Sequence, residues 1–336
     1  MLFKNMFGID LGTDSVKIYN DSKKSISREK TRVAIRKQET VFAVGDEAEE
    51  MLERTPQDIQ VYTPMCGGRI SDIALVEVLL HNLLDKAFLG YRPQLFFTVP
   101  MDTTEIEKRA YYTIAHRGRL KRCRVYLVEK PIADALALGI PISKTRGSMV
   151  INIGAQSTEV SVIADQRVII SKVIPIGGNQ FDASIVAAVR RFHNFQISYK
   201  TANELKLNLA DFTGKNTNKM RVMGIDATTG LPRDGIVTSY TITVTLQEQL
   251  HTIAEEIQNL LNRTPPQIYR AIKEEGIYLA GGSTRLAGLD RYLKDYLNCQ
   301  IKQSTLYELC TINGLKELVT HEQLHKLAFT PKKRKY

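Results

Sequence analysis

Two segments of the sequence share one pattern: a β-branched strand, a tight turn of small residues and a returning strand of alternating apolar residues. The first covers residues 7–19 and turns at Gly12-Thr13. The second covers residues 149–163 and turns at residues 154–158. They begin about 140 residues apart, close to half of the 336-residue chain. Duplication is the simplest explanation of such a repeat, so the sequence predicts two related α/β halves, each led by a β-hairpin.

Strands and helices alternate through the rest of the chain, which predicts mixed sheets covered by helices. Further strands are expected at residues 95–100, 125–128 and 277–280. Helices are expected at residues 103–117, with Thr103 or Thr104 as the N-cap, and at 131–138, 246–260 and 289–297. The helix from residue 246 carries apolar side chains at steps of three and four and stops before Pro265-Pro266.

Composition narrows the class of protein. The 46 Lys and Arg residues exceed the 36 Asp and Glu residues, and the net charge of +10 suggests an anionic partner. The four cysteines form no CxxC pair, which favours a reducing cytosolic setting over a zinc knuckle or a disulfide framework. Charged residues interrupt the most apolar run, residues 73–89, so we expect no membrane-spanning helix.

Three small-residue turns follow strands, at residues 10–13, 154–158 and 281–283. Glycine lets backbone N–H groups approach an anion closely, and a hydroxyl adds a donor. Asp10 could hold Mg²⁺ directly or through a water molecule. An ordinary Asp-Gly hairpin turn explains residues 10–13 equally well, but three such turns along two similar halves favour a phosphate ligand.

The chain resembles the bacterial actin MreB family, within the superfamily of actin, sugar kinases and heat-shock chaperone ATPases. The matching motifs run in order from residue 7 to about residue 290. They are residues 8–13, 43–48, 54–56, 64–65, 98–100, 105–109, 125–129, 147–150, 157–160, 176–178, 181–182, 229–232, 264–266 and 279–282.

This resemblance implies an actin-like ATPase fold of the α/β class, with two lobes of duplicated ribonuclease-H-like topology and four subdomains around a nucleotide cleft. Lobe I is expected at residues 1–145 plus about 315–330, with a small subdomain inserted at about 32–75. Lobe II is expected at residues 146–314, with its small subdomain inserted at about 180–243. Residues 331–336 would form a basic tail.

The resemblance also implies that ATP or ADP binds in the cleft with Mg²⁺, the metal being served by Asp10 directly or through water. Glu204 and Lys206 fall in the helix that lines the adenosine pocket. The other implied nucleotide-binding residues are Asp10, Gly12, Thr13, Asp14, Ser15, Gly154, Ala155, Gln156, Gly177, Gly178, Gly281, Gly282 and Ser283. The implied catalytic positions are Lys130, Asn152, Ser157 and Thr158.

One departure from the family pattern concerns the attacking water. The family carries a carboxylate immediately before the residue matching Pro131, and this carboxylate positions or activates that water. Here the residue is Lys130, whose ammonium has three donors and no acceptor, so it cannot take a proton from water. It could pair with the γ-phosphate as a point charge. Glu129 is a poor substitute because adjacent side chains on a strand end point opposite ways.

The second loop departs as well. Asn152 replaces the family's Asp beside the metal, Ala155 and Gln156 replace glycines, and Ser157 replaces a threonine, while Ser15 in the first loop replaces an asparagine. Each well-placed catalytic group is worth about 10²–10³-fold in rate. We therefore predict weak or absent ATP hydrolysis. Normal hydrolysis through rearranged waters stays open as the alternative.

The function implied is a nucleotide-binding bacterial actin that polymerises into membrane-associated filaments for cell shape, or for helicity and motility. Such filaments are expected to pair and to co-assemble with MreB paralogues. In the residue before the proline, the lysine-rich composition and the lack of tryptophan, the chain resembles a hydrolysis-impaired MreB paralogue such as those of wall-less helical mollicutes. The alternatives are a normally hydrolysing scaffold for cell-wall elongation, a small-molecule kinase, and a scaffold that does not polymerise.

The expected location is the cytoplasmic face of the cell membrane, as part of the cytoskeleton. The candidate contacts with an anionic membrane surface are Phe88, Leu89 and Tyr91, and the basic tail from Lys332 to Lys335. Phe88 and Leu89 could equally close the end of a core helix. No nucleic-acid module is recognisable, so no nucleic-acid partner is expected.

Overall fold

The chain folds into two compact units. A computed structural model describes residues 5–36, 40–52, 58–85, 92–115 and 118–331. Unit 1 comprises Met1–Ile142 and Leu309–Tyr336, and unit 2 comprises Ser143–Glu308. The chain therefore builds most of unit 1, then all of unit 2, and returns to unit 1. The predicted lobe boundaries and the subdomain insertions at about 32–75 and 180–243 stay predictions.

The strands form where β-branched and aromatic residues cluster. Those of unit 1 are β1 Met6–Leu11, β2 Ser15–Asn20, β3 Ser25–Lys30, β4 Val33–Arg36, β5 Thr40–Val44, β6 Ile59–Tyr62, β7 Met65–Cys66, β8 Arg69–Ile70, β9 Gln94–Val99 and β10 Arg124–Glu129. Those of unit 2 are β11 Ser148–Ile153, β12 Thr158–Ala164, β13 Arg167–Ile174, β14 Phe195–Gln196, β15 Lys219–Asp226, β16 Pro232–Thr238, β17 Ile277–Ala280 and β18 Ile301–Gln303.

The helices of unit 1 are α1 Asp46–Glu50, α2 Ile73–Asp85, α3 Glu105–Ile114, α4 Lys130–Ala137 and α10 Cys310–Thr320. Those of unit 2 are α5 Gly178–His193, α6 Tyr199–Leu209, α7 Ser239–Arg263, α8 Pro266–Glu275 and α9 Leu289–Leu297. Short 3₁₀ turns lie at Gly118–Arg122, Gly282–Arg285, Tyr307–Leu309 and Glu322–Leu327. In the described residues, no helix combines the length and the apolar character that crossing a membrane requires.

One predicted N-cap was confirmed and one predicted helix start was wrong, because caps decide where a helix begins. Helix α3 starts at Glu105 since Thr104 and Glu107 form a reciprocal capping box, and it ends at Ile114 rather than residue 117. Helix α7 starts seven residues earlier than its apolar pattern indicated. The Thr238 hydroxyl accepts the N–H of Thr241 there, at 3.2 Å.

The main sheets of the two units have the same topology. Unit 1 has the order β3-β2-β1-β9-β10, with β2 antiparallel to β1 and β3, and β9 parallel to β1 and β10. Unit 2 has the order β13-β12-β11-β17-β18 with the same pattern of directions. The predicted duplication is therefore confirmed. In both units the β-hairpin sits in the middle of the sheet, so its turn lies at the end of a fully buried strand pair.

Apolar packing holds each hairpin in place. In unit 1, helix α10 lies against β1 and α4, and a Cβ on Gly8 would lie 3.0 Å from Leu315 Cβ. A side chain at Gly314 would collide with the backbone carbonyl of Ala133 on α4, so only glycine permits this approach. Such close packing makes the position of the β1–β2 turn insensitive to surface changes.

Candidate functional site

The first loop is the turn from β1 to β2. The N–H of Gly12 donates to the carbonyl of Ser15 at 3.2 Å, and the buried hydroxyl of Thr31 donates to the carbonyl of Gly12 at 2.7 Å. The Thr13 hydroxyl accepts the N–H of Gly68 at 2.9 Å, which ties the loop to the β7–β8 turn. These bonds hold the loop in one backbone conformation before any ligand arrives.

Asp10, the last polar residue of β1, sits in a positively charged setting. Its Oδ2 lies 3.1 Å from the Lys17 ammonium and its Oδ1 accepts the Thr98 hydroxyl at 2.9 Å. Burial raises the pKa of the Asp10 carboxyl, but the charges of Lys17 and Lys130 and the bond from Thr98 outweigh burial and lower it. Asp10 is therefore ionised and already paired.

Asp14 faces away from Asp10, towards strand β3. Its carboxylate lies 2.7 Å from the Lys30 ammonium and 3.6 Å from the Arg28 guanidinium. Burial raises the pKa of Asp14, but Lys30 and its neighbours outweigh that effect and lower it. The predicted roles of Asp14 and of the buried Ser15 in nucleotide binding stay predictions, and the described contacts of both residues serve the turn and the sheet.

Lys130 and Glu129 mark the end of β10. Glu129 is the N-cap of α4 and Lys130 is its first residue. Burial raises the pKa of Glu129, while the charge of Lys108 on α3 lowers it to a lesser extent. Lys130 instead acts on Asp10. The charge of Lys130 thus lowers the pKa of Asp10, whereas the largest effect on the pKa of Glu129 is its own burial.

The second loop, from β11 to β12, closes in the same way. The N–H of Gly154 donates to the carbonyl of Ser157 at 2.9 Å. The carbonyl of Gly154 accepts the N–H of Gly178 at 2.9 Å and the hydroxyl of Ser283 at 3.0 Å. The carbonyl of Ala155 accepts the N–H of Asn179 at 2.7 Å. Three predicted segments therefore meet within unit 2: residues 154–158, 177–178 and 281–283.

Glycines are required where these segments touch. A Cβ on Gly177 would lie 2.8 Å from backbone atoms of Gly154, Ala155 and Ser157. Gly281 has φ +97°, a backbone conformation that side chains disfavour, and a Cβ there would lie 2.7 Å from Asn152 Oδ1. Asn152 thus stands against the Gly281 turn as a neutral amide.

Lys206 contributes a positive charge to this cluster. Its ammonium donates to the carbonyl of Gly178 at 3.1 Å and lies 2.7 Å from Asp182, with both side chains largely buried. A Cβ on Gly178 would lie 3.4 Å from that ammonium. Glu204, on the same helix α6, is exposed.

Two predicted catalytic residues have structural contacts. The Thr158 hydroxyl is fully buried and donates to the carbonyl of Ile176 at 2.7 Å, which fastens β12 to the segment entering α5. Ser157 supplies the carbonyl that closes the loop. Their catalytic roles stay predictions, as do the nucleotide-binding roles of Gln156 and Gly282. The candidate membrane residues Phe88, Leu89 and Tyr91, and the tail from Lys332, lie outside the described residues.

Sequence reasoning overlooked Lys17, Thr98 and Thr31. Every residue of β2 is buried, and Lys17 stands in it between Val16 and Ile18. A lysine inside an apolar strand requires a counter-charge. The sequence showed a lysine between two apolar residues, but not which carboxylate pairs with it. Thr98 and Thr31 carried no such signal, because their partners come from distant parts of the chain.

Comparison with known proteins identifies the family. The profile of the MreB/Mbl protein family matches residues 4–327. The chain belongs to the MreB/Mbl family. The cell shape-determining protein MreB of Escherichia coli (strain K12) is 34% identical to it over 304 residues, which cover 88% of this chain and 87% of that protein.

Solved structures of the MreB/Mbl family agree with this fold. MreB5 of Spiroplasma citri bound to ADP has a TM-score of 0.91 at 26% identity, covering 97% of this chain and 99% of that one. A second structure of that protein is bound to AMPPNP. The MamK double helical filament has a TM-score of 0.79 at 20% identity, over 95% of this chain and 99% of that one, a likeness of fold. The predicted actin-like fold is therefore confirmed.

Proposed function

We propose that this chain is a bacterial actin that binds ATP or ADP and polymerises into cytoskeletal filaments for cell shape. The observation that carries the proposal is the pair of glycine turns, each at the end of a buried β-hairpin and each with a lysine beside it. Backbone N–H groups and a nearby ammonium are the donors that bind phosphate. The relative in Spiroplasma citri, bound to ADP and to AMPPNP, supports the nucleotide.

Electron microscopy of the purified chain with ATP, with ADP and with AMPPNP tests polymerisation. We expect filaments with at least one nucleotide, and we expect them to pair. Nucleotide binding without filaments under every condition would contradict the proposal and favour a scaffold that does not polymerise. The MamK filament supports self-assembly as a property that this fold permits.

We further propose that hydrolysis is weak or absent. By the family resemblance, Lys130 takes the place of the carboxylate that orients the attacking water, and its ammonium has no acceptor atom. Filaments of such a protein would stay longer in the ATP state, and their turnover would depend on exchange or on co-assembly with an active paralogue.

Phosphate release from the purified chain tests this. We expect Lys130→Glu to raise the rate by about 10²–10³-fold, the usual contribution of a well-placed acid–base group. Lys121→Glu, an equal charge change at an exposed lysine of the same unit, is the matched control and should leave the rate unchanged. Turnover by the unaltered chain at the rate of a carboxylate-bearing relative would contradict the proposal.

We also propose that the filaments lie at the cytoplasmic face of the membrane. The net charge of +10 favours an anionic surface, and the apolar residues Phe88, Leu89 and Tyr91 are the candidate contacts. Co-sedimentation with anionic liposomes tests this, comparing the chain with a Phe88→Ser, Leu89→Ser variant. Undiminished pelleting of the variant would remove these residues from the role.

A further inference from the structure

The turn between β7 and β8 lies against the first loop, within unit 1. The N–H of Gly68 donates to the Thr13 hydroxyl at 2.9 Å, across 55 positions of sequence. Thr13 is 7% exposed, so this bond is largely shielded from water. A Cβ on Gly68 would lie 3.4 Å from Cγ of Pro100, the residue that follows β9. The turn therefore touches both the first loop and the end of a central strand.

This turn has little stability of its own. Strands β7 and β8 contain two residues each. The turn residues Gly67 and Gly68 have φ +57° and +79°, the two positive values found in type I′ turns. Glycine loses more conformational freedom on ordering than any other residue, and an isolated two-stranded hairpin is marginally stable in water. The position of the turn therefore depends on contacts outside it.

Arg69, the residue after the turn, supplies such contacts. Its guanidinium pairs with Asp102 and lies 3.4 Å from Oε1 of Glu107. Burial raises the pKa of Glu107, but the hydrogen bonds from Thr104 and the charge of Arg69 outweigh burial and lower it. Glu107 is therefore ionised, and Arg69 joins the glycine turn to two carboxylates at the start of α3.

Helix α3 is a firm anchor for these ion pairs. Tyr111 and Ile114 lie in the core of unit 1, 2% and 0% exposed. The ring of Tyr111 meets Phe97 of β9 edge-on, with the ring centroids 5.6 Å apart. The capping box of α3 fixes its first turn. Ion pairs as exposed as those of Arg69 add little to the stability of a whole unit, but they suffice to restrict a turn of two glycines.

The bond from Gly68 also sets the direction of the Thr13 hydroxyl. A hydroxyl has one hydrogen to donate and two lone pairs that accept. The N–H of Gly68 occupies one lone pair of the Thr13 oxygen, so the hydroxyl hydrogen points away from Gly68. An ionised phosphate oxygen is an acceptor and forms a strong hydrogen bond with such a donor. The glycine turn therefore selects the orientation of Thr13 that suits a phosphate.

We propose that Arg69 is a positioning residue of the first loop. Its ion pairs with Asp102 and Glu107 hold the glycine turn, and the N–H of that turn holds the Thr13 hydroxyl as a donor to a phosphate of the nucleotide. The inference rests on the proposed nucleotide-binding function. Because Arg69 acts through Thr13, its loss matters for binding only while the Thr13 hydroxyl is present.

A double-mutant cycle on ATP binding by the full chain, measured by calorimetric titration, tests the inference. We expect Thr13→Val to weaken binding by about tenfold, the contribution of one hydrogen bond to a charged group. Arg69→Gln should weaken binding by about fivefold, the upper range for exposed ion pairs. The double variant should show only the loss of Thr13→Val. A loss of about fiftyfold, the product of the two single losses, would overturn the inference.

Arg36→Gln is the matched control. Arg36 lies 3.4 Å from Asp58 in the same unit, and their side chains are 44% and 40% exposed, close to the 39% of both Arg69 and Asp102. This variant should bind ATP like the unaltered chain, and thermal melts check that every variant folds. Equal binding by Arg69→Gln and Arg36→Gln would remove Arg69 from the role and leave the proposed function standing. Failure of the unaltered chain to bind ATP would contradict both.

Discussion

The turn after β1 and the turn after β11 close with the same bond, from a glycine N–H to the carbonyl of a serine three residues on. In each, the carbonyl of the glycine accepts a side-chain hydroxyl, from Thr31 in unit 1 and from Ser283 in unit 2. In each unit a largely buried lysine–aspartate pair lies close by. The duplicated topology has thus kept the backbone and its supports.

The two loops differ in the polar side chain near the end of the strand that leads into each of them. On β1, before the first loop, this residue is the charged Asp10, which pairs with Lys17 and whose pKa is also lowered by the charge of Lys130. On β11, before the second loop, it is the neutral Asn152, whose amide oxygen lies close to Gly281. The comparison teaches that backbone shape and local charge are separable in this fold, because the shape comes from glycines and carbonyls while the charge comes from single side chains.

The largest expected effect comes from the buried ion pairs. Lys206→Met would leave Asp182 buried without its cation and destabilise unit 2 by about 3–5 kcal/mol. Lys17→Met should destabilise unit 1 by less, since Lys130 still acts on Asp10. Hydrogen exchange measured by mass spectrometry reports the stability of each unit separately. Equal losses in both units would show that Lys130 does not compensate Asp10.

The next largest loss of stability is expected from substituting the loop glycines Gly12 and Gly154. A Cβ on Gly12 would lie 2.7 Å from the carbonyl of Ser15, whereas one on Gly154 would lie 3.2 Å from the carbonyl of Ser157. We expect Gly12→Ala to cost about 1–3 kcal/mol through overpacking, and Gly154→Ala to cost less. Both losses of stability are measured by the denaturant concentration at the midpoint of unfolding, provided that the m-value is unchanged. The reverse order would mean that the first loop can shift more easily than its bonds suggest.

The two supporting hydroxyls give a smaller effect. Thr31→Val removes the hydroxyl bonded to Gly12, at a cost of about 1 kcal/mol. Ser283→Ala should cost less, because the carbonyl of Gly154 keeps the N–H of Gly178. Thermal melts of the two variants rank them. A larger loss for Ser283→Ala would indicate that its hydroxyl does more than support the loop.

The smallest effect at neutral pH concerns Asp10 itself. Its pKa is lowered in the folded state, so the stability that it contributes is present above about 3.9, the usual value of Asp, and is lost as pH falls through the folded value. Asn152 does not titrate, so it adds no such dependence. We expect an Asp10→Asn, Lys17→Met variant to lose less stability than the unaltered chain as the pH falls from about 5 to about 3. Denaturant midpoints across that range check this, and an unchanged acid response would contradict the assigned pairing.

The sequence alone predicted much of the fold, for a local reason. The repeat at 7–19 and 149–163 is a pattern of adjacent residues, so its hairpins were visible before folding. The start of α7 was less visible, because its threonine cap precedes the apolar stripe from which the helix was predicted. Family resemblance placed the glycine turns, and the structure brings three of those segments into contact within unit 2.

What the sequence determined by itself is the order of elements, the two glycine turns and the identity of Lys130, since each depends on neighbouring residues. Tertiary structure alone decided that Asp10 is paired with Lys17 and Thr98, and that the charge of Lys130 lowers the pKa of Asp10. The reason is sheet register: the antiparallel strand β2 brings Lys17 level with Asp10, and the parallel strand β9 brings Thr98, 88 positions along the chain, beside it. Charge at a site depends on that alignment, which no local pattern records.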